Sequence, residues 1–139
     1  MTVDEMLAQA RQRLGRLEPQ VAADAVRSGS VLIDVRTSEQ RARDGAVPGA
    51  VPIALNVLEW RADPSSSAHD ERLGQADVPL IVLCAEGFCS SLAASRLITL
   101  GREATDVKGG FEAWRRDGLP VLARPATRSV RPDAPRTRR

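Results

Sequence analysis

A chain of 139 residues with 42% apolar and 3% aromatic residues suits one self-standing domain whose core is built mainly from Val, Leu, Ile and Ala. Two cysteines exclude a disulfide scaffold, a single histidine in a Ser-rich stretch (His69) argues against a metal site, and no run nears the ~20 apolar residues of a membrane span. The net charge of +2 divides into a basic tail, residues 124–139, at +5 and a body near −3.

Residues 1–17, MTVDEMLAQARQRLGRL, lack an apolar signal core and mix charges, so a cytoplasmic protein is expected. Residues 3–13 read as a short helix with Val3, Met6, Leu7 and Ala10 on one face and Asp4 and Glu5 at its positive end. It is expected as an appendage, 1–13, outside the core of the main domain, 14–123. Leu14 to Leu17 reads as a first short strand. Pro19 opens a helix through Arg27, closed by Gly29.

Val31-Leu32-Ile33, ending in Asp34, is an apolar run without alternation, as in a parallel strand buried on both faces. Ser38 is placed as the cap of a brief helix ending before Gly45. A short strand is expected near Ala50–Val51 and one or two helical turns over Val57–Arg61. A loop, 62–69, and a candidate helix, 70–76, follow. Pro79 starts the strand Leu80-Ile81-Val82-Leu83, which ends at Cys84. After the loop 85–89, Ser90 or Ser91 leads into the helix LAASRLITL, closed by Gly101. Thr105-Asp106-Val107 is a last short strand, Gly109-Gly110 a turn, and Phe111–Asp117 a final helix. Strands alternating with helices predict a three-layer α/β fold. The runs at 31–34, 80–83 and 105–107 should be neighbouring parallel strands. Pro125, Pro132 and Pro135 break any element in the tail, which is expected to be disordered and solubilising.

Cys84 is the residue with the clearest chemical promise. In open α/β sheets, sites gather beyond the carboxyl ends of strands. The loop AEGFCSS enters a helix there, and Gly87 permits a tight backbone path. Such a loop turns N–H groups inward as an anion-binding nest, and the same field lowers the pKa of a thiol at its base. The competing reading is an inert cysteine pointing into the core.

Four segments carry a resemblance. LIDVRTSEQ (32–40), GAVPGA (45–50), IVLCAEGFCSSLAA (81–94) and DVKGGFEAW (106–114) are similar, in order and spacing, to the motifs of single-domain rhodanese-like proteins, the sulfurtransferase fold. With RLEPQVAADAV the likeness covers roughly residues 14–123, and NVLEWRADP (56–64) resembles a bacterial subgroup. The resemblance implies a five-stranded parallel sheet with helices on both faces and a cysteine that takes a sulfane sulfur and passes it on through a persulfide. It implies Cys84 as nucleophile and Ala85, Glu86, Gly87, Phe88, Cys89 and Ser90 as the persulfide cradle, with the N–H groups of 85–89 converging on the sulfur and Glu86 facing solvent. Asp34 would brace the site from behind, and Arg36 is read as an ion pair tying adjacent segments, against a substrate contact. Trp60 and Arg61 are candidates for the cleft mouth, against plain packing. Trp114 is read as packing. No cofactor and no metal are implied. The partners would be a small sulfur donor, persulfide or thiosulfate, and a thiol or other thiophilic acceptor, proteins included. Neither nucleic acid nor a membrane is expected as a partner.

Two departures bear on this. Cys89 stands where many members carry Arg, which removes a fork of donors suited to an oxyanion and weakens the case for thiosulfate. Ala46 replaces the histidine of the family's Gly-His-Ile-Pro segment. A phosphatase loop needs Arg six residues after its Cys, and Ser90 stands there. A dithiol oxidoreductase lacks its CxxC, although a Cys84–Cys89 disulfide is conceivable if the Cα atoms lie about 4.4–6.8 Å apart. The alternative function is a non-catalytic rhodanese-fold module for binding or redox regulation.

Overall fold

The computed structural model describes residues 1–122, so the tail 124–139 lies outside the described residues. Four strands form one sheet: β1 (Val31–Asp34), β2 (Val51–Pro52), β3 (Leu80–Leu83) and β4 (Ala104–Asp106). All pair in parallel, in the order β2-β1-β3-β4, with Val31 opposite Leu80 and Leu80 opposite Ala104. The helices are α1 (Val3–Gln12), α2 (Pro19–Arg27), α3 (Ser38–Asp44), α4 (Leu58–Ala62), α5 (Cys89–Thr99) and α6 (Gly110–Arg116).

Alternating side chains sort the core into two layers. Leu32, Ile81 and Leu83 pack with Ala22 and Ala23 of α2 and with Phe111 and Trp114 of α6. Ile33, Leu80 and Val82 pack with Leu58 and Ala62 of α4 and with Ala93, Ala94 and Leu97 of α5. Every residue of β3 is buried, which explains its unbroken apolar run. This is the expected three-layer architecture.

The expected fifth strand is reduced to one residue. Leu17 alone joins the sheet, through a parallel bridge to Val107. Its N–H donates to the Asp106 carbonyl at 3.0 Å, and its carbonyl accepts from the Lys108 N–H at 2.8 Å. The stretch is too short for a ladder. Arg13 and Leu14 still bond back to the carbonyls of Ala10 and Arg11, and Pro19 already opens α2.

Smaller departures have local causes. Thr37, not Ser38, caps α3, in a reciprocal pair with Gln40. Helix α5 begins at Cys89, ahead of the serines. The stretch 70–76 contains only a 3-10 turn, Glu71–Leu73, ended by Gly74 at φ +70°. Helix α1 lies against α5, with Val3 and Met6 exposed and Ala10 buried, so this last residue departs from the expectation that the first dozen stay outside the core. Arg13 fastens the contact through the Ser95 carbonyl and hydroxyl, both at 3.0 Å, and Thr99 Oγ1 at 2.8 Å.

One buried cation organises the side away from Cys84. Arg102 is 3% exposed, and its guanidinium donates to the carbonyls of Ala62, Leu73 and Val78. Burial pulls its pKa below the ordinary value, with Asp77 opposing. Hydrogen bonds from a charged donor contribute about 1.5–3 kcal/mol each, and Arg102→Met leaves three loop carbonyls unpaired. This variant should lose about 2–4 kcal/mol in urea denaturation while keeping the Cys84 chemistry intact.

Candidate active site

Strand β3 delivers Cys84 to the carboxyl end of the sheet, and α5 starts five residues later. The residue is 4% exposed and borders the apolar layer under α5. Its sulfur is nevertheless held by polar donors: the Gly87 N–H reaches Sγ at 3.1 Å. The thiol is pulled down to about 5, first by the Cys89 side chain and then by Ser90 and the Gly87 N–H, against the opposing effect of burial. Cys89 shifts the other way, upward, because its proton is shared with the Cys84 sulfur and because it is partly buried. The arrangement is a thiolate facing a thiol, and both cysteines are free.

The cradle is narrower than the sequence suggests. Of the expected N–H donors 85–89, Gly87 reaches the sulfur, and the second backbone donor is Ser90, at the first turn of α5. Glu86 and Phe88 are exposed, Ala85 is half-buried, and Cys89 is exposed at the helix start while its thiol faces the Cys84 sulfur. The Ser90 hydroxyl donates to Asp106 Oδ2 at 2.8 Å, and a hydroxyl has one proton to give. Its steadier contribution to the sulfur is therefore the backbone N–H.

The loop is gripped from α6. The Phe111 N–H donates to the Cys84 carbonyl at 2.8 Å, and the Glu112 N–H to the Ala85 carbonyl at 3.0 Å. Gly110 lies so close that a Cβ would stand 2.5 Å from the Cys84 carbonyl oxygen. The Gly109-Gly110 pair thus does more than turn the chain.

The remaining candidates are dispersed. Asp34 and Arg36 form a buried ion pair at 2.8 Å, with further bonds from the Arg36 Nε and N–H to Asp34. Arg36 also ties the segment to the Gly45 carbonyl at 2.9 Å and stacks over the Phe111 ring at 3.9 Å. Asp34 therefore touches the loop only through Arg36 and Phe111, a longer route than expected. Trp60 and Arg61 do not meet Cys84. The Trp60 ring is 59% exposed in a hollow with Glu59, Asp63, Ser66 and Leu100, at the far end of α5 from Cys89. Arg61 donates to the Ala68 carbonyl at 3.2 Å and braces the loop after α4. Trp114 packs in the core and donates its indole N–H to the Pro120 carbonyl at 2.9 Å.

The residues the sequence did not single out are Arg11, Arg16 and Asp106. Asp106 is fully buried and accepts from Arg16, Ser90 and Ser91. A carboxylate in a strand of a covered sheet must find a partner, which is the one signal the sequence offered.

The sequence pattern of the rhodanese-like domain matches residues 18–117. The thiosulfate sulfurtransferase GlpE of Pseudomonas syringae pv. syringae is 34% identical over 101 residues, 72% of this chain and 86% of that protein. Among solved structures, a protein of unknown function from Rhodopseudomonas palustris, described as a possible tyrosine phosphatase, is 28% identical at a TM-score of 0.79, over 87% of this chain and 94% of that one. A thiosulfate sulfurtransferase from Pseudomonas aeruginosa shares the fold at a TM-score of 0.64 and 24% identity, over 80% of this chain and 20% of that one. The strand-loop-helix around Cys84, the covered parallel sheet and these matches agree, and the chain belongs to the rhodanese-like family.

Proposed function

We propose that this protein is a sulfurtransferase that carries a sulfane sulfur on Cys84. The observation that supports this most is the Cys84 sulfur itself, held at a strand end by the Gly87 N–H at 3.1 Å. A thiolate is the attacking species in such chemistry, and a thiol at about 5 is ionised at neutral pH. The thiolate attacks the outer sulfur of the donor, the donor's S–S bond breaks, and the remainder leaves with the bonding pair. With thiosulfate the leaving group is sulfite; with an organic persulfide it is a thiolate. The Cys84 persulfide carries its negative charge on the outer sulfur. An acceptor nucleophile then takes that sulfur and expels the Cys84 thiolate, which is a good leaving group because its pKa is low.

Several features favour a small or extended donor end. Cys84 is 4% exposed, so a bulky donor must present its sulfur on a thin arm. No charged side chain replaces the missing Arg at position 89. The preferred donor is then a persulfide rather than thiosulfate, and the acceptor a thiol, free or on a protein. No helix among the described residues is long and apolar enough to cross a membrane. A site that works as a free thiolate suits the reducing cytoplasm, where we place it.

The likeness to a possible tyrosine phosphatase invites phosphoryl transfer as the rival. That chemistry needs a guanidinium on the phosphoryl oxygens. The two guanidinium groups beside the loop, Arg11 and Arg16, are directed at the Gly87 carbonyl, and Arg16 also at Asp106. The sulfur reading is therefore preferred.

Sulfur transfer to cyanide tests the proposal. Cys84→Ser should fall to background with either donor. Wild type should turn over an organic persulfide faster than thiosulfate, and Cys89→Arg should raise the thiosulfate rate about tenfold, the order of one charge-assisted contact. Equal activity of Cys84→Ser and wild type would refute the nucleophile, and no gain from Cys89→Arg would refute the account of donor preference.

A further inference from the structure

We propose that Arg16 and Arg11 are positioning residues for Cys84: from the N-terminal segment they clamp the Gly87 carbonyl and neutralise the buried Asp106, and so keep the loop's donors on the sulfur. The inference rests on Cys84 being the reactive thiol.

Gly87 is pinned at both ends. Its N–H points to the Cys84 sulfur at 3.1 Å. Its carbonyl, on the opposite side, accepts from Arg11 Nη2 at 2.8 Å and from Arg16 Nη2 at 3.0 Å. The residue sits at φ +92°, a conformation that an unsupported loop has no reason to prefer over others. Two charged donors on one carbonyl supply that reason, because charge-assisted bonds are about twice as strong as neutral ones.

Arg16 does a second thing. Asp106 is 0% exposed, and Arg16 faces it with a fork, Nε to Oδ1 at 2.9 Å and Nη2 to Oδ2 at 3.2 Å. The carboxylate in turn accepts the hydroxyls of Ser90 and Ser91, each at 2.8 Å. This anchors the first turn of α5, whose Ser90 N–H faces the sulfur. An uncompensated carboxylate so near would oppose a thiolate; paired with Arg16 it anchors without opposing. Arg11 adds a bond to the Ser91 hydroxyl at 3.0 Å and lies over the Phe88 ring at 5.8 Å.

Docking of α1 does not rest on these contacts alone. Arg13 already ties that helix to α5, through Ser95 and Thr99. Arg11 and Arg16 both precede residue 18, where the match to the rhodanese-like domain begins. The segment before the family domain therefore reaches into the site.

Other charged groups around the loop are accounted for. Glu86 on the loop and Glu112 on α6 are exposed, and Asp34 and Arg36 are closed on each other behind Phe111. Arg96 of α5 pairs with Glu59, and Cys89 faces the sulfur directly.

The test is the rate of Cys84 alkylation by iodoacetamide across pH, read by peptide mass on the full chain. This reports thiolate, whatever the protein transfers. Arg16→Gln should move the midpoint upward by about two pKa units, which cuts the thiolate fraction at pH 6, and with it the alkylation rate, about tenfold. Arg16→Lys keeps the charge but not the fork, and should fall between wild type and Arg16→Gln at that pH. Arg11→Gln, on a half-buried surface position, should slow it by about threefold and serves if Arg16→Gln does not fold. A wild-type profile in folded Arg16→Gln, or in Arg11→Gln where it stands alone, overturns the proposal. So does Arg16→Lys falling as far as Arg16→Gln, since packing rather than charge would then be at work. If these shifts appear while the wild type never takes up sulfane sulfur, the clamp stands and the transferase reading fails. If sulfur is taken up and the shifts are absent, the clamp fails alone.

Discussion

Gly110→Ala should lose sulfur transfer by about a hundredfold or more and destabilise the protein by about 2–5 kcal/mol. Gly110 sits at φ +59°, where an L side chain costs about 1–2 kcal/mol. Its added Cβ would also stand 2.5 Å from the Cys84 carbonyl oxygen and 2.8 Å from the backbone nitrogens of Glu86 and Gly87. These are backbone atoms, so no flexible side chain can yield, and overpacking adds about 1–3 kcal/mol. Relief requires α6 to withdraw, which breaks the Phe111 and Glu112 bonds to the loop carbonyls. A displacement of about 1 Å at a reacting centre can cost a hundredfold in rate. Gly101→Ala is the control: it has a positive φ, +98°, with open space around its Cβ. It should lose stability through strain and keep its transfer rate. Steady-state rates and urea midpoints of the two variants check this; a fully active Gly110→Ala would show that the loop does not depend on that close approach.

The reactivity of Cys84 should stay flat from about pH 9 to pH 6 and fall through about pH 5, where its thiol protonates. Cys89→Ala removes the largest cause of the depression, so its midpoint should rise and its alkylation at pH 6 should slow several-fold. The same shifts act on stability. Unfolded Cys84 binds its proton up to the ordinary thiol range, while the folded form releases it near pH 5. The unfolded state thus holds more protons between these values, and stability rises with pH across that window. It is lost again as pH falls through about 5. Cys89, shifted upward, acts in the opposite sense above the ordinary thiol pKa, where the folded state holds the extra proton and stability declines. Urea midpoints from pH 5 to 8 should therefore climb in wild type more than in Cys84→Ala. Parallel curves would show that the folded thiol titrates like a free one.

Much of this site is legible in the sequence because both-face burial leaves a mark. Leu80–Leu83 had to be apolar at every position, and the Cys at its end followed by a Gly-containing loop and a helix start is a local pattern. The faults arise where contacts are distant. Arg16 and Asp106 are 90 residues apart, and Arg11 meets Gly87 across 76. Neither pairing has a periodicity to betray it. Trp60 and Arg61 stay open in the sequence between the cleft mouth and plain packing for a related reason: sequence position says nothing of which end of α5 they meet. The missing fifth strand is a matter of length. Leu14 to Leu17 has apolar ends, but α1 overruns its start and Pro19 cuts it off.

The most direct test is the mass of the intact protein after exposure to an organic persulfide and then to a small thiol. Wild type and Cys89→Ser should each gain about 32 Da, one sulfur atom, and lose it to the thiol, while Cys84→Ser gains nothing. Equal labelling of Cys84→Ser, or no labelling of wild type by any sulfane-sulfur donor, would contradict Cys84 as the sulfur carrier.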